Sequence, residues 1–202
     1  AAMQKRQIEL ARTHYGASHP IVLQGLLSEV SAASERQDHA SASTLLDQID
    51  LLLDQSGQNQ SLLRADWWQQ RAREIYLTGG AMDEMAKSLE QCFALYEKLA
   101  PGTRGYATAL SDAANIYNER GDPVQQRRHN ERALAVYAAA PDRNDADVQV
   151  VLGNYARNLE LLGEFEPAQD AYTRAEDLAR HTHGAQDQRY WLTLAYHARM
   201  LH

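Results

Sequence analysis

Cysteine occurs once in the 202 residues, at Cys92. That excludes an internal disulfide and any zinc site built on several thiolates. Valine and isoleucine are scarce, 7 and 5, against 32 alanines and 25 leucines. An extended sheet draws on β-branched residues, so this balance favours helix. Long hydrophobic runs are missing too. The longest are short clusters such as Leu51-Leu52-Leu53, far below the length needed to cross a bilayer. Proline is confined to five positions, all between or at the starts of periodic apolar segments. Positive charge is also in short supply. Lys and Arg number 20 against 27 Asp and Glu, a net charge of -7. This argues against generic binding to nucleic acid or anionic membranes. No Ser/His/Asp motif, glycine-rich phosphate loop or HExxH motif is present.

What the chain does have is an internal period near 42 residues. Steps of that length connect Trp68, Leu110, Leu152 and Leu194. They also connect Ala72, Ala114, Ala156 and Ala198, and Ile75, Tyr117, Leu159 and Leu201. Three apolar columns spaced four and three apart form one helical face. The small column lets a neighbouring helix approach closely. A second apolar segment follows each of these. It reads Ala168, Tyr172, Ala175, Leu178 after Gly163; Gln126, Asn130, Ala133, Val136 after Gly121; Met85, Leu89, Cys92, Leu95 after Gly80; and Ala42, Leu46, Ile49, Leu52 after Gln37. The glycine marks the turn within each helix pair, and Gly79-Gly80 implies one extra residue in the second such turn. Pro20, Pro123 and Pro167 fall in first turns of helices, and Pro101 and Pro141 between repeats. The pattern predicts an all-α chain of about ten helices: 2–15, 20–36, 39–55, 61–78, 82–99, 104–120, 123–139, 145–162, 165–182 and 187–201.

The residues Leu152, Tyr155-Ala156, Leu159, Leu162-Gly163-Glu164-Phe165, Ala168, Tyr172 and Ala175 resemble the tetratricopeptide repeat (TPR). The 42-residue period and the segment Tyr15-Gly16-Ala17-Ser18-His19-Pro20 resemble the longer kinesin-light-chain-type variant common in bacterial proteins. The resemblance implies a right-handed α-solenoid of antiparallel helix pairs over 1–202. Residues 1–18 would end a preceding repeat, with repeats over 19–59, 60–102, 103–143 and 144–185. Residues 186–202 would be the first helix of a further repeat or a cap. Gln126 and Asn130 depart from the pattern, where a small and an aromatic residue are usual, and so does Gln37, which replaces the turn glycine. Tyr155, Tyr172, Phe165 and Trp68 fall in packing columns, and Trp67 either fills the junction with the preceding repeat or stands as an exposed anchor. Both ends read as cut, so the chain is expected to be a fragment of a longer protein. The alternative is a complete chain with capping helices, its initiator Met removed.

The resemblance further implies a non-catalytic protein-interaction module that binds a peptide or partner segment in a concave groove lined by first helices. The alternative is a regulatory or sensor segment of a larger bacterial signalling protein, such as a serine/threonine kinase or transcription regulator. On the groove side the period aligns Arg73, Asn115, Arg157 and Arg199. Beside them lie Gln70, Asp112, Asn154 and Tyr196, and then Tyr76, Asn118, Glu160 and His202. The expected binding residues are Arg73, Asn115, Arg157, Arg199, Asn154, Tyr196, Asn118 and Gln70. Arginines can hold a carboxylate by bidentate bonds, so the partner is expected to be a protein or peptide carrying acidic groups. The bland alternative is a solvated or ion-paired surface, with Arg157 and Glu160 one turn apart. In the first repeat these columns hold only Ser28, Ser31 and Ser34. No enzyme activity, cofactor, metal, nucleic acid or membrane insertion is expected. His181 and His183 sit on different sides of a helix, Cys92 reads as an inert buried thiol, and Asp142, Asp145 and Asp147 read as caps and solvating charge. The cytoplasm is the default compartment. An extracytoplasmic one would follow if the chain is part of a membrane-anchored protein.

Overall fold

The computed structural model describes residues 2–200. They form ten helices: α1 (Ala2–Tyr15), α2 (Pro20–Glu35), α3 (His39–Gln55), α4 (Leu62–Leu77), α5 (Met82–Leu99), α6 (Arg104–Glu119), α7 (Pro123–Ala139), α8 (Asp145–Leu161), α9 (Phe165–His183) and α10 (Gln188–Met200). The expected boundaries hold to within a residue or so. No strand occurs among the described residues. Leu201 and His202, placed by the period in an apolar and an outward column, lie outside the described residues.

Two compact units divide the chain, Ala1–Ala100 and Pro101–His202. In each, a helix packs most closely on its sequence neighbour within a pair, α2 on α3 and α4 on α5 in the first, α6 on α7 and α8 on α9 in the second. First helices of successive pairs also touch one another, α2 with α4, α6 with α8, and α8 with α10.

The turn within each pair is the same Schellman closure, repeated at the 42-residue step. At the first, Gln37 N–H donates to Ser34 O and Asp38 N–H to Ala33 O, both at 2.9 Å. Gly79, Gly121 and Gly163 repeat the pattern. The turn residue has positive φ throughout, 61° at Gln37 and 70°, 72° and 77° at the three glycines. Gln37 therefore adopts the glycine conformation without being glycine. The glycine of the second turn is Gly79, and Gly80 is the extra residue. A Cβ on Gly80 would lie 2.9 Å from Ile75 Cγ2 and 3.1 Å from Ile75 O, so only glycine fits there. Asp38 and Asp122 then cap α3 and α7 by accepting from Ser41 N and Gln125 N at 3.2 and 3.0 Å. The insertion moves the cap position of α5 to Ala81, which has no side-chain acceptor.

The small column is buried at Ala72, Ala114 and Ala156, but Ala198 is exposed. α10 packs on α9 and α8 through its other side, so the period carries Ala198 to a face that no described helix covers. Phe165 is a second correction. It is 59% exposed at the first residue of α9, where its ring clears the α8–α9 pair instead of entering it. Tyr172 is fully buried, whereas Tyr155 is half-buried, its hydroxyl donating to Glu131 at 3.0 Å. Trp68, in the leucine column, is only half-buried. Trp67 takes the interior instead: it joins the core built from α2 and α3, and its Nε1–H donates to Leu46 O at 2.8 Å. The buried Arg64 guanidinium lies 4.8 Å from the Trp67 ring centre and bonds Asp50, Asp54 and Asn59.

Buried polar hooks join successive pairs inside each unit. In the first unit the Glu74 carboxylate accepts from Ser34 Oγ on α2 and from His39 Nδ1 on α3, the latter at 3.0 Å. In the second, Asn158 Nδ2 donates to Gln126 Oε1 at 2.9 Å and to Pro123 O at 3.0 Å, both on α7. Gln126 and Asn130, the departures from the repeat pattern, are thus buried polar groups beside Asn158 and His129. The His129 ring stacks on Tyr117 at 5.3 Å. Asp142, Asp145 and Asp147 do not cap α8, which is capped by Asn144 accepting from Ala146 N at 2.9 Å. Asp142 and Asp147 instead hold Arg104 at the start of α6, through its N–H at 3.2 Å and its Nε at 2.7 Å.

Candidate functional site in the second unit

The first helices α6, α8 and α10 carry the expected site residues at equal steps along one face. Asn154 Nδ2 donates to Asn115 Oδ1 at 2.9 Å, joining α8 to α6. The Tyr196 ring, on α10, receives two guanidinium groups, Arg157 at 5.1 Å and Arg199 at 5.6 Å from the ring centre. Cation–π contact holds both cations against one ring without neutralising them. Arg199 Nη2 also reaches both Glu160 oxygens at 3.3 Å, and Glu160 Oε2 accepts from the Tyr172 hydroxyl at 3.1 Å. Burial, and then Glu160 as bond acceptor and neighbouring charge, push the Tyr172 hydroxyl well above its ordinary pKa, so it remains a donor.

The local ion pair between Arg157 and Glu160 does not form. Glu160 bonds across the repeat to Arg199, 39 residues on, and among the described residues Arg157 pairs with no carboxylate. Its five donors are committed only to the ring contact.

Beside these groups a cleft of about 170 Å³ opens between α8 and α10. Its lining includes Val150, Gly153, Asn154, Arg157, Leu192 and Tyr196. Val150 and Leu192 leave about half their surface in solvent, 51% and 53%. At its edge Gln149 Nε2 donates to Thr193 Oγ1 at 2.9 Å, a buried bond that sets the spacing of the two helices. Ala156 packs directly beneath, in a cluster with Ala171, Tyr172, Tyr196 and Met200.

Five of the eight expected residues are brought together: Asn115, Asn154, Arg157, Tyr196 and Arg199. Asn118 sits near the end of α6, where its backbone oxygen accepts from Gly121 N at 3.0 Å, and its side chain joins none of these contacts. Arg73 and Gln70 belong to the first unit, three residues apart on one face of α4. Gln70 Oε1 is buried there without a hydrogen-bond partner. Val150, Gly153 and Leu192 were missed by the sequence reading. Their signal was available, since Val150 and Leu192 stand one 42-residue step apart as apolar residues in an outward column. In the first unit Ser28 and Ser31 donate to carbonyls of their own helix four residues back, and the one Ser34 hydroxyl proton is shared between Val30 O and Glu74. Among the described residues no three His, Cys, Asp or Glu side chains come together as a metal ion would require, and His181 Nδ1 donates to Asp177 O at 2.6 Å.

Residues 107–181 match the family model of the tetratricopeptide repeat. That stretch carries tetratricopeptide repeats. Among solved structures, BtubC (BKLC) from P. vanneervenii is similar at 12% identity and a TM-score of 0.75, over 93% of this chain and 74% of that one. The nearly identical TPR-like repeats of a Podosopora anserina protein named for kinesin light chain are similar at 17% identity and a TM-score of 0.74. That match covers 90% of this chain and 86% of that one. At these identities the likeness establishes the fold, which is that of kinesin-light-chain TPR-like repeats. No curated protein matches the chain. Tetratricopeptide-repeat proteins are generally non-catalytic scaffolds for protein–protein interaction. No described helix is long and apolar enough to cross a membrane.

Proposed function

We propose that the face formed by α6, α8 and α10 binds an extended peptide or partner segment through a carboxylate. The supporting observation is the pair of guanidiniums held on the Tyr196 ring, of which Arg157 has no carboxylate of its own. A cation fixed by packing and left without a counter-charge offers charge-assisted hydrogen bonds at little ordering cost. Asn115 and Asn154 keep one amide group each beyond their mutual bond, enough to meet a peptide N–H or carbonyl. The cleft by Val150 and Leu192 accepts an apolar side chain next to the carboxylate. Gln70 and Arg73 supply comparable polar groups on the first unit.

Peptide arrays probed with the 202-residue protein would identify acidic sequences, whose affinity is then measured for wild type and Arg157→Ala. The variant should lose about 1–3 kcal/mol of binding, the range for a hydrogen bond to a charged group, with an unchanged thermal midpoint. Equal affinities would remove Arg157 from the site. A large stability loss at unchanged affinity would make the arginine a packing residue.

A further inference from the structure

In the first unit a cleft of about 540 Å³ lies among α1, α2 and α3, within the size range of small-molecule sites. Ile8, Leu26 and Leu45, one from each helix, give it apolar walls. Glu29 of α2 also lines it, yet this glutamate is only 6% exposed. One of its carboxyl oxygens, Oε1, is out of contact with water and has no hydrogen-bond partner.

Other acids withdrawn from the surface of this unit, the buried Glu74 and the half-buried Asp66, are served. Glu74 accepts from Ser34 and His39, and Asp66 accepts from the Tyr96 hydroxyl at 2.5 Å. Glu29 is the exception, and a carboxylate removed from water without a donor is unfavourable unless something reaches it. The arginines of the same cleft, Arg12 and Arg36, stand exposed at its mouth and form no ion pair with Glu29. No described group of the chain donates to that oxygen, which leaves the position to a molecule that enters the cleft. A cationic N–H group on a small body that sits against the apolar walls meets this need, and Glu9 and Asp38, which line the cleft with Arg12 and Arg36, leave its rim mixed in charge.

We infer that this cleft is a binding site for a small organic amine, an alkyl- or arylalkylammonium whose charged nitrogen contacts the Glu29 carboxylate. It is separate from the peptide face of the second unit and does not rest on that reading.

Three probes of one shape test it on the 202-residue protein: phenylbutylamine, phenylbutanol and phenylbutyrate, titrated at fixed pH and ionic strength and followed by calorimetry and by the Ile8 and Leu45 methyl signals. The amine should bind saturably, with an affinity at least about tenfold above the alcohol, as a charge-assisted bond implies, and the acid should not bind. Glu29→Gln keeps the shape and should remove the preference for the amine. Thr44→Phe, at an exposed position on the cleft wall, should block both amine and alcohol while Glu29 is untouched. Circular dichroism verifies that each variant is folded. Equal binding of amine and alcohol would overturn the proposal, leaving Glu29 a buried side chain with no ligand role. So would an amine preference that survives Glu29→Gln, or no binding of either probe to the folded protein.

Discussion

Gln37 is the residue at which the repeat departs from its own rule, and it offers a direct measurement of what the rule is worth. Four equivalent turns close with the same hydrogen bonds and the same positive φ, three of them on glycine and one on glutamine. A side-chain-bearing residue in this region carries a steric penalty of about 1–2 kcal/mol. Glycine there escapes the penalty but loses more freedom on folding, about 0.4–1 kcal/mol. The difference leaves Gln37→Gly stabilising by about 0.5–1 kcal/mol. Gln37 is exposed, so truncation removes no packing. The reciprocal change is equally clean. A Cβ at Gly121 would meet nothing within 4 Å, so Gly121→Gln introduces only the backbone cost and should destabilise by a similar amount. Urea unfolding followed by circular dichroism reads both. At an m-value of about 2–3 kcal/mol/M, the midpoint should rise by roughly 0.2–0.5 M for Gln37→Gly and fall comparably for Gly121→Gln. A Gln37→Gly variant no more stable than wild type, at unchanged m, would refute the assignment of conformational cost to this turn. A Gly121→Gln variant that loses several kcal/mol would show that packing had been misjudged.

Ala156 lies fully buried against Ala171 and Tyr172, so Ala156→Leu should cost about 1–3 kcal/mol in chemical denaturation, while Ala198→Leu on the exposed face of α10 should leave the midpoint unchanged. The His129 imidazole is pushed down to about 4, by burial first and then by the charges of Arg132 and Arg128. The unfolded chain binds that proton near pH 6.5 and the folded one near pH 4, so this contribution is complete above pH 6.5 and lost as pH falls to 4. The loss amounts to about 3 kcal/mol at one pKa unit per 1.36 kcal/mol. Unfolding curves across that window should show it in wild type and not in His129→Leu; a pH dependence identical in the two would exonerate the histidine.

Period and glycine spacing made the helices legible, because backbone closure at the turns repeats at the same step as the apolar face. The columns failed where burial depends on a neighbour and not on the repeat itself. Ala198 has the sequence of a packed alanine and no described helix against it, and Phe165 stands in an aromatic position at a helix end that its own ring overhangs. Trp67 displaced Trp68 because its indole N–H finds a carbonyl of the preceding pair, a partner no single-repeat pattern contains. The site was half legible for the same reason. Equal spacing aligned Asn115, Arg157 and Arg199, but which carboxylate each arginine meets is a matter of rotamers across repeats, and Glu160 turned to Arg199. The unpaired carboxyl of Glu29 left no trace in the pattern, since one residue without a donor differs from one with a donor only in three dimensions.

The two buried hooks also bear on how such an array can be rearranged. Glu74 is matched to a hydroxyl and an imidazole on the pair before it, and Asn158 to an amide and a backbone carbonyl. If the helix pairs were shuffled by recombination, Glu74 placed over Gln126 and Pro123 would bring a carboxylate against the Pro123 carbonyl oxygen, with a flipped Gln126 amide as its one donor. Asn158 placed over Ser34 and His39 would keep its bulk and lose the fitted pairing. The repeats share a scaffold but not a connector, so their order is written into the interior as well as into the surface, and an engineered duplication would have to carry each hook together with the pair that receives it.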